Sequence, residues 1–372
     1  MIEVERPRTT KRTFWAPGRV NLLGEHTDYS DGFVCPAAID LGIQVAGTAA
    51  EDIALRSGLD GSLVVLGADG STMRTPEGWG RYVAAIAREL HLLGRPPVGF
   101  AGTVTSTLPS GAGLSSSAAL QVAIANALCA VAEFDIEPLA LAAACQRAEL
   151  RAVGVPCGIM DQAASILGAA GCAIWLDCRT LAFEAVRLPD DLMLVIADSG
   201  VRHEHEFSGY AERRRELEAA LVALDGRRPT DVGLREAEEL ASEAGLGDRH
   251  WRRLRHVVTE NERVRRLVEV LRALPVDRAR LGELFLEGHR SLRDDYEVST
   301  PELDCLVELA YARGAIAARM TGGGFGGSIL ALVDQGVAVP FGRDVAAGYR
   351  RRTGKECTVH VCKAADGAGE VI

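Results

Sequence analysis

The sequence predicts an α+β fold of two domains. Strand-like and helix-like segments are mixed without the regular βαβ spacing of a doubly wound sheet. The 372 residues suffice for two domains of ordinary size, each with a buried core. A charged, helix-rich stretch from Thr230 to Arg272 has the pattern of a surface helical hairpin. The boundary is expected near residues 170–190, which gives one domain of 1–180 and another of 181–372.

From Thr13 to Gly47 short apolar runs alternate with turn residues, the pattern of strands and loops. Leu55–Leu66 repeats it, with Asp60-Gly61 as a hairpin turn. Tyr82–Leu93 has helical periodicity, and Val98–Thr107 reads as a strand entering a Gly-rich loop, Pro109–Ser117. Ala118–Ala132 follows as a buried helix, and Pro138–Val153 as another, with Pro138 suited to a first helical turn. Cys172–Asp177 and Leu192–Asp198 read as strands, and Tyr210–Leu224 as a charged amphipathic helix. Leu281–Leu292 and Pro301–Arg313 are expected to be helical; Ala315–Met320, Ser328–Val333 and Thr358–Val361 are expected to be strands.

Hydrophobic residues at 48% and charged residues at 25% give the balance of a globular protein in water. A net charge of −10 argues against an extended nucleic-acid surface, though backbone N–H groups and a few cations can still hold phosphate. The nine cysteines are dispersed with no C-x-x-C pair, which argues against a zinc ribbon and for a reducing compartment. Met1–Arg12 lacks the apolar core of a secretory signal, and the run Ala118–Ala132, interrupted by Gln121 and Asn126, is too short to span a bilayer. A cytoplasmic protein without membrane contact is expected, and nothing calls for an obligate protein partner.

Two glycine clusters stand out. Gly111-Ala112-Gly113-Leu114-Ser115-Ser116-Ser117, after Pro109-Ser110, precedes a helix expected to start near Ser117. Glycines let backbone approach a phosphate, successive N–H groups and a helix N-terminus bind anions, and a hydroxyl can reach a metal ion. It is not a Walker loop, since no Gly-Lys-Ser/Thr follows. A plain turn capping a helix remains the alternative. The second cluster, Gly322-Gly323-Gly324-Phe325-Gly326-Gly327, formally fits G-x-G-x-x-G, but the strand pattern Ser328–Val333 after it excludes a dinucleotide fold. A close turn between paired strands is the simple reading.

Transfer of a phosphoryl group to a hydroxyl needs a metal-bridged triphosphate, a positioned acceptor, a carboxylate base and a cation. Asp161, in the apolar setting Pro156-Cys157-Gly158-Ile159-Met160-Asp161, is a candidate base. Glu149 lies on the preceding helix, and Arg19 could polarise phosphoryl oxygens. Singly, each has a simpler reading: Glu149 solvated, Asp161 capping a helix, Arg19 in a surface ion pair. His203 and His205 lack a further ligand set and read as exposed rather than metal-binding.

Gly18-Arg19-Val20-Asn21-Leu22-Leu23-Gly24-Glu25-His26-Thr27-Asp28-Tyr29 resembles the sugar-binding signature of galactokinases, members of the GHMP kinase superfamily. Gly111–Ser117 is similar to the superfamily's ATP-binding motif, Arg319–Gly327 to its third motif, and His289–Ser299 to a galactokinase segment. The resemblance runs from about Ala16 to Ala368. It implies an N-terminal domain like ribosomal protein S5, a ferredoxin-like C-terminal domain, and an active site in the cleft between them. The implied reaction moves the γ-phosphate of ATP to the C1 hydroxyl of α-D-galactose, with Mg²⁺.

It further implies that Glu25, His26, Thr27, Asp28 and Gly158 face the sugar and that Tyr210 contacts it. Asp161 would be the base, Arg19 the transition-state stabiliser, Gly111 to Ser117 the phosphate loop, and Ser117 and Glu149 the magnesium-associated positions. Three positions depart from the family's habit. Gly209 precedes Tyr210 where glutamate is usual, Gln121 stands where glutamate is common, and Ser328 where cysteine is common. The last two are expected to stay clear of the chemistry.

Overall fold

A computed structural model describes residues 10–72, 76–109, 111–154, 156–202 and 206–371. The first strands are β1 (Arg12–Asn21), β2 (Phe33–Val34), β3 (Pro36–Ala50), β4 (Ile53–Ser57), β5 (Leu63–Leu66) and β6 (Gly99–Ser106). Further along come β7 (Cys172–Asp177), β8 (Phe183–Arg187), β9 (Leu192–Arg202), β10 (Ala317–Thr321), β11 (Gly326–Asp334), β12 (Thr358–Cys362) and β13 (Gly369–Glu370). They form a six-stranded sheet ordered β13-β1-β3-β6-β4-β5, a four-stranded sheet β10-β11-β9-β12, and a three-stranded sheet β2-β7-β8. Every pairing is antiparallel except β4 with β6. With helices packed on these sheets, the architecture is α+β.

The helices α1 (Gly80–Leu92), α2 (Ser116–Val131), α3 (Pro138–Val153) and α4 (Met160–Leu167) belong to the six-stranded sheet, with α2 and α4 lying on β1 and β3. Nearly every side chain of α2 from Ala118 to Cys129 is buried, so the helix is apolar all round. Pro138 starts α3 and Gly154, at φ 73°, ends it in the left-handed conformation. α4 is a two-turn helix whose brevity hides its period in the sequence.

Helices α5 (Glu206–Leu221), α6 (Leu234–Glu243), α7 (Asp248–Arg272), α8 (Arg278–Asp294), α9 (Pro301–Ala312) and α10 (Ala338–Thr353) complete the chain. α9 and α10 cover the four-stranded sheet, and the charged hairpin read between Thr230 and Arg272 is α6 and α7. Thr300 caps α9 by accepting from the Leu303 N–H, with Pro301 in the first turn. α10 was not legible in the sequence. Pro340, Gly342 and Gly348 break its pattern, and the glycines are there for packing. A Cβ on Gly342 would sit 2.7 Å from Val359, and one on Gly348 would sit 2.9 Å from Leu309.

Candidate active site

A cavity of about 420 Å³ opens where the end of β1, the loop before α2, the starts of α4 and α5 and the turn between β10 and β11 converge. Arg19 reaches it because the β1–β3 register shifts between Pro17 and Arg19, a bulge that re-aims the strand. Gly18 lets the phosphate loop close on that bulge, since a Cβ there would lie 2.6 Å from the Leu114 carbonyl oxygen. Arg19 donates through Nε to Asp161 Oδ1 at 2.8 Å, through Nη1 to the Gly113 carbonyl at 2.6 Å, and through its own N–H to Leu114. The Ser115 hydroxyl donates to the other Asp161 oxygen. Asp161 stands in the first turn of α4 and half-faces the cavity.

The loop after β1 supplies the other wall. Glu25 is buried and its carboxylate accepts from Asn21 Nδ2 at 3.0 Å and from the Gly322 N–H at 2.7 Å; burial pushes its carboxyl up. His26 Nε2 faces the Gly323 carbonyl at 3.1 Å, an acceptor only, so Nε2 carries the proton and Nδ1 accepts from the Tyr29 hydroxyl at 2.8 Å. Burial and the neighbouring His256 push His26 down to about 3, so the ring is neutral. Burial, with Asp161 and Glu25 adding repulsion, pushes Asp28 up to about 7. Gly158 packs flat on Asp28, and a Cβ there would fall 1.8 Å from Asp28 Oδ2. Thr27 is not on the cavity wall: its hydroxyl lies 2.8 Å from the Gly24 carbonyl and 2.7 Å from that of Phe33, stapling the loop to itself.

In the phosphate loop Gly111, Gly113 and Ser115 all have φ near +60° to +80°. The side chain of Ser115, the N-cap residue of α2, makes no capping bond, so the first-turn N–H groups are not taken up by it. Gly111, Gly113, Leu114, Ser115, Ser116 and Ser117 line the cavity, whereas Ala112 is buried behind it. Ser110 and the stretch His203–His205 lie outside the described residues. Glu149 is on the cavity wall beside Ser117, and burial pushes it up to about 7.

Two of the positions that depart from the family's habit have definite partners. One helical turn beyond Ser117, the Gln121 amide donates to Glu149 Oε2. The Ser328 hydroxyl donates to the Ala112 carbonyl at 2.7 Å. The third glycine motif does more than turn between β10 and β11. Gly322 and Gly323 hold Glu25 and His26, and Gly322 abuts Gly113 in the phosphate loop.

Tyr210, in the second turn of α5, lines the cavity with its ring 5.6 Å from His26 and 5.7 Å from Tyr29. Gly209 beside it packs against the Phe325 ring, which would have to shift for a side chain there, since a Cβ would lie 2.8 Å from it. Sequence reasoning missed Tyr29, Gln162 and Phe325 on the wall. Tyr29 and Phe325 lay inside the quoted motifs, but nothing in their spacing separated them from packing residues. It also missed that α7 braces the loop after β1 from behind. His256 Nε2 bonds the Glu25 carbonyl at 3.0 Å, Glu260 accepts from the Gly24 N–H at 2.9 Å, and Asn261 accepts from the Phe33 N–H at 2.7 Å.

Comparison with known proteins places the chain among relatives. The family model described as the galactokinase galactose-binding signature matches residues 5–49, that of the GHMP kinases N terminal domain 81–169, and that of the GHMP kinases C terminal 271–350. A galactokinase of Roseiflexus sp. (strain RS-1) is 40% identical over 370 residues, 96% of this chain and 92% of that one. A galactokinase of Streptomyces coelicolor is 42% identical over 329 residues, 86% of this chain and 84% of that one. The crystal structure of Lactococcus lactis galactokinase complexed with galactose matches with a TM-score of 0.91 at 30% identity, covering 99% of this chain and 97% of that one. The two-domain fold, the site assembled between its parts and these relatives lead to one conclusion: the chain belongs to the galactokinase family of ATP-dependent GHMP kinases.

Proposed function

We propose that the chain transfers the γ-phosphoryl group of ATP to the C1 hydroxyl of α-D-galactose, giving galactose 1-phosphate and ADP. One observation carries the reading: Arg19 joins the carboxylate of Asp161 to the backbone of the phosphate loop, so a base and an anion site share one cation. The walls come from both proposed domains, residues 1–180 supplying the phosphate loop, Glu25, Asp28 and Asp161, and 181–372 supplying Tyr210 and the third glycine motif.

In the proposed step the C1 oxygen attacks the γ-phosphorus, the bond to the ADP oxygen breaks, and Asp161 takes or orients the departing hydroxyl proton. Arg19 stabilises charge on the transferring oxygens. Glu25, His26, Asp28, Gly158 and Tyr210 shape the sugar end; neutral His26 and the acceptors of Asp28 suit a ring with several hydroxyls. Thr27 acts there only by holding the loop. Gly111 to Ser117 and the N-terminal end of α2 would hold the triphosphate.

The pairing of one carboxylate, Glu149, with the Ser117 hydroxyl fits a hard cation that completes its shell with phosphate oxygens. No cluster of three or more His, Cys, Asp or Glu side chains able to hold a metal alone occurs among the described residues. Ser117 and Glu149 would hold Mg²⁺ there, and the ion would supply positive charge to offset that of the phosphates. A cytoplasmic setting is proposed from the nine free thiols. No helix among the described residues is long and apolar enough to cross a membrane.

The test is ATP consumption across a panel of hexoses that includes galactose and N-acetylgalactosamine, with the phosphorylated position identified. Galactose-dependent turnover giving the 1-phosphate is expected. Turnover with another sugar only, or phosphate at another carbon, overturns the reading.

A further inference from the structure

We propose that Ser328 is a positioning residue for the nucleotide phosphates, acting on the phosphate loop through the carbonyl of Ala112. The inference rests on the reading of Gly111–Ser117 as the ATP site.

A loop can present N–H groups to an anion only while its carbonyls are turned elsewhere, and a buried carbonyl needs a donor where it turns. Three successive carbonyls of this loop are tethered. Gly113 and Leu114 accept from Arg19, through Nη1 at 2.6 Å and the backbone N–H at 3.2 Å. Ala112 accepts from Ser328 at 2.7 Å, across from β11. In a trans peptide the N–H points opposite to the C=O, so anchoring the Ala112 oxygen toward β11 aims the Gly113 N–H away from it. Gly113 is a cavity residue, while Ala112 is not.

This peptide needs an anchor more than its neighbours do. Gly113, at φ 76°, lacks a Cβ, so little steric resistance opposes a flip of the 112–113 plane. A flip would turn an oxygen toward the phosphates where an N–H should be. The anchor is itself rigid. Ser328 is fully buried, β11 is paired on both sides at Thr321 and Asp198, and the preceding Gly327 carbonyl accepts from Ser199 at 2.8 Å. Gly327, at φ 79°, holds the left-handed turn at the start of β11, a conformation that favours glycine.

The experiment measures equilibrium binding of ATP and of galactose to the full chain and to Ser328→Ala and Ser328→Cys, with thermal melting of each. Losing one hydrogen bond to a buried carbonyl should weaken ATP binding about three- to tenfold in Ser328→Ala. Ser328→Cys, with a weaker donor of nearly the same shape, should lose less. Galactose affinity should not move in either variant. Unchanged ATP affinity in Ser328→Ala overturns the proposal, as does a parallel loss of both ligands with a fall in melting temperature, which is the mark of a merely structural contact. If the unsubstituted chain binds no ATP, the phosphate-loop reading falls and the proposal falls with it.

Discussion

Arg19 grips Asp161 with two nitrogens, Nε and Nη2, each 2.8 Å from the same oxygen, Oδ1. Oδ2 is left to the Ser115 hydroxyl at the entrance to α2. A single carboxylate thus ties the bulge of β1, the phosphate loop and the first turn of α4.

Asp161→Asn keeps the shape of this junction but removes the proposed base. Turnover should fall by about 10²-fold or more, while ATP affinity stays close to that of the unsubstituted chain. Steady-state kinetics with a direct ATP-binding measurement checks both, and near-normal turnover excludes Asp161 as the base.

Asp28 gives stability a pH dependence. Its carboxyl is pushed up to about 7 from an ordinary 3.8, so the folded chain binds a proton that the unfolded chain has released. Stability from neutral Asp28 is therefore complete below about pH 4 and is lost as pH rises through 7. Asp28→Asn cannot ionise. Its melting temperature relative to the unsubstituted chain should rise from pH 5 to pH 8. A constant difference between the two proteins would rule this out.

Gly158→Ala should act on the sugar and not on the nucleotide. The new Cβ would fall 1.8 Å from Asp28 Oδ2 and 2.6 Å from Asp28 Cβ, too close for a rotation of the carboxylate alone to relieve. The galactose KM should rise about tenfold or more, with little change in the ATP KM and an unaltered far-ultraviolet circular dichroism spectrum. Equal effects on both substrates would disprove the assignment.

Glu260 and Arg319 form a fully buried pair at 2.8 Å. Burial alone would raise the Glu260 carboxyl, but Arg319 and Arg263 hold it well below the usual range. Glu260→Leu strands two guanidinium groups and should cost about 3–5 kcal/mol of unfolding free energy. Combining it with Arg319→Met should recover part of that loss. Denaturant titration of the two variants decides, and a double variant no more stable than the single one would contradict it.

What the sequence showed was what is local along the chain. Pro138 and Gly154 bracket α3, Asp60-Gly61 turns β4 into β5, and Gly111–Ser117 runs into α2, each within a few residues. Thr27 shows the limit. A threonine hydroxyl suits a sugar or its own backbone equally well, and only the folded loop directs it to Gly24 and Phe33. Gln121 lies 28 residues from Glu149, and Glu260 lies 236 from Gly24, so no periodicity links them. α7 looked like a solvated helix because it is highly charged, yet Arg253, His256, Glu260 and Asn261 are buried on its inner face.

The edge of β1 beyond Arg12 is completed by β13, with Arg12 and Glu370 paired at a separation of 358 residues. Until β13 docks, the outer edge of β1 at Phe14 and Trp15 therefore lacks its strand partner. A nascent-chain experiment should find this sheet vulnerable to protease until residues 369–370 clear the ribosome.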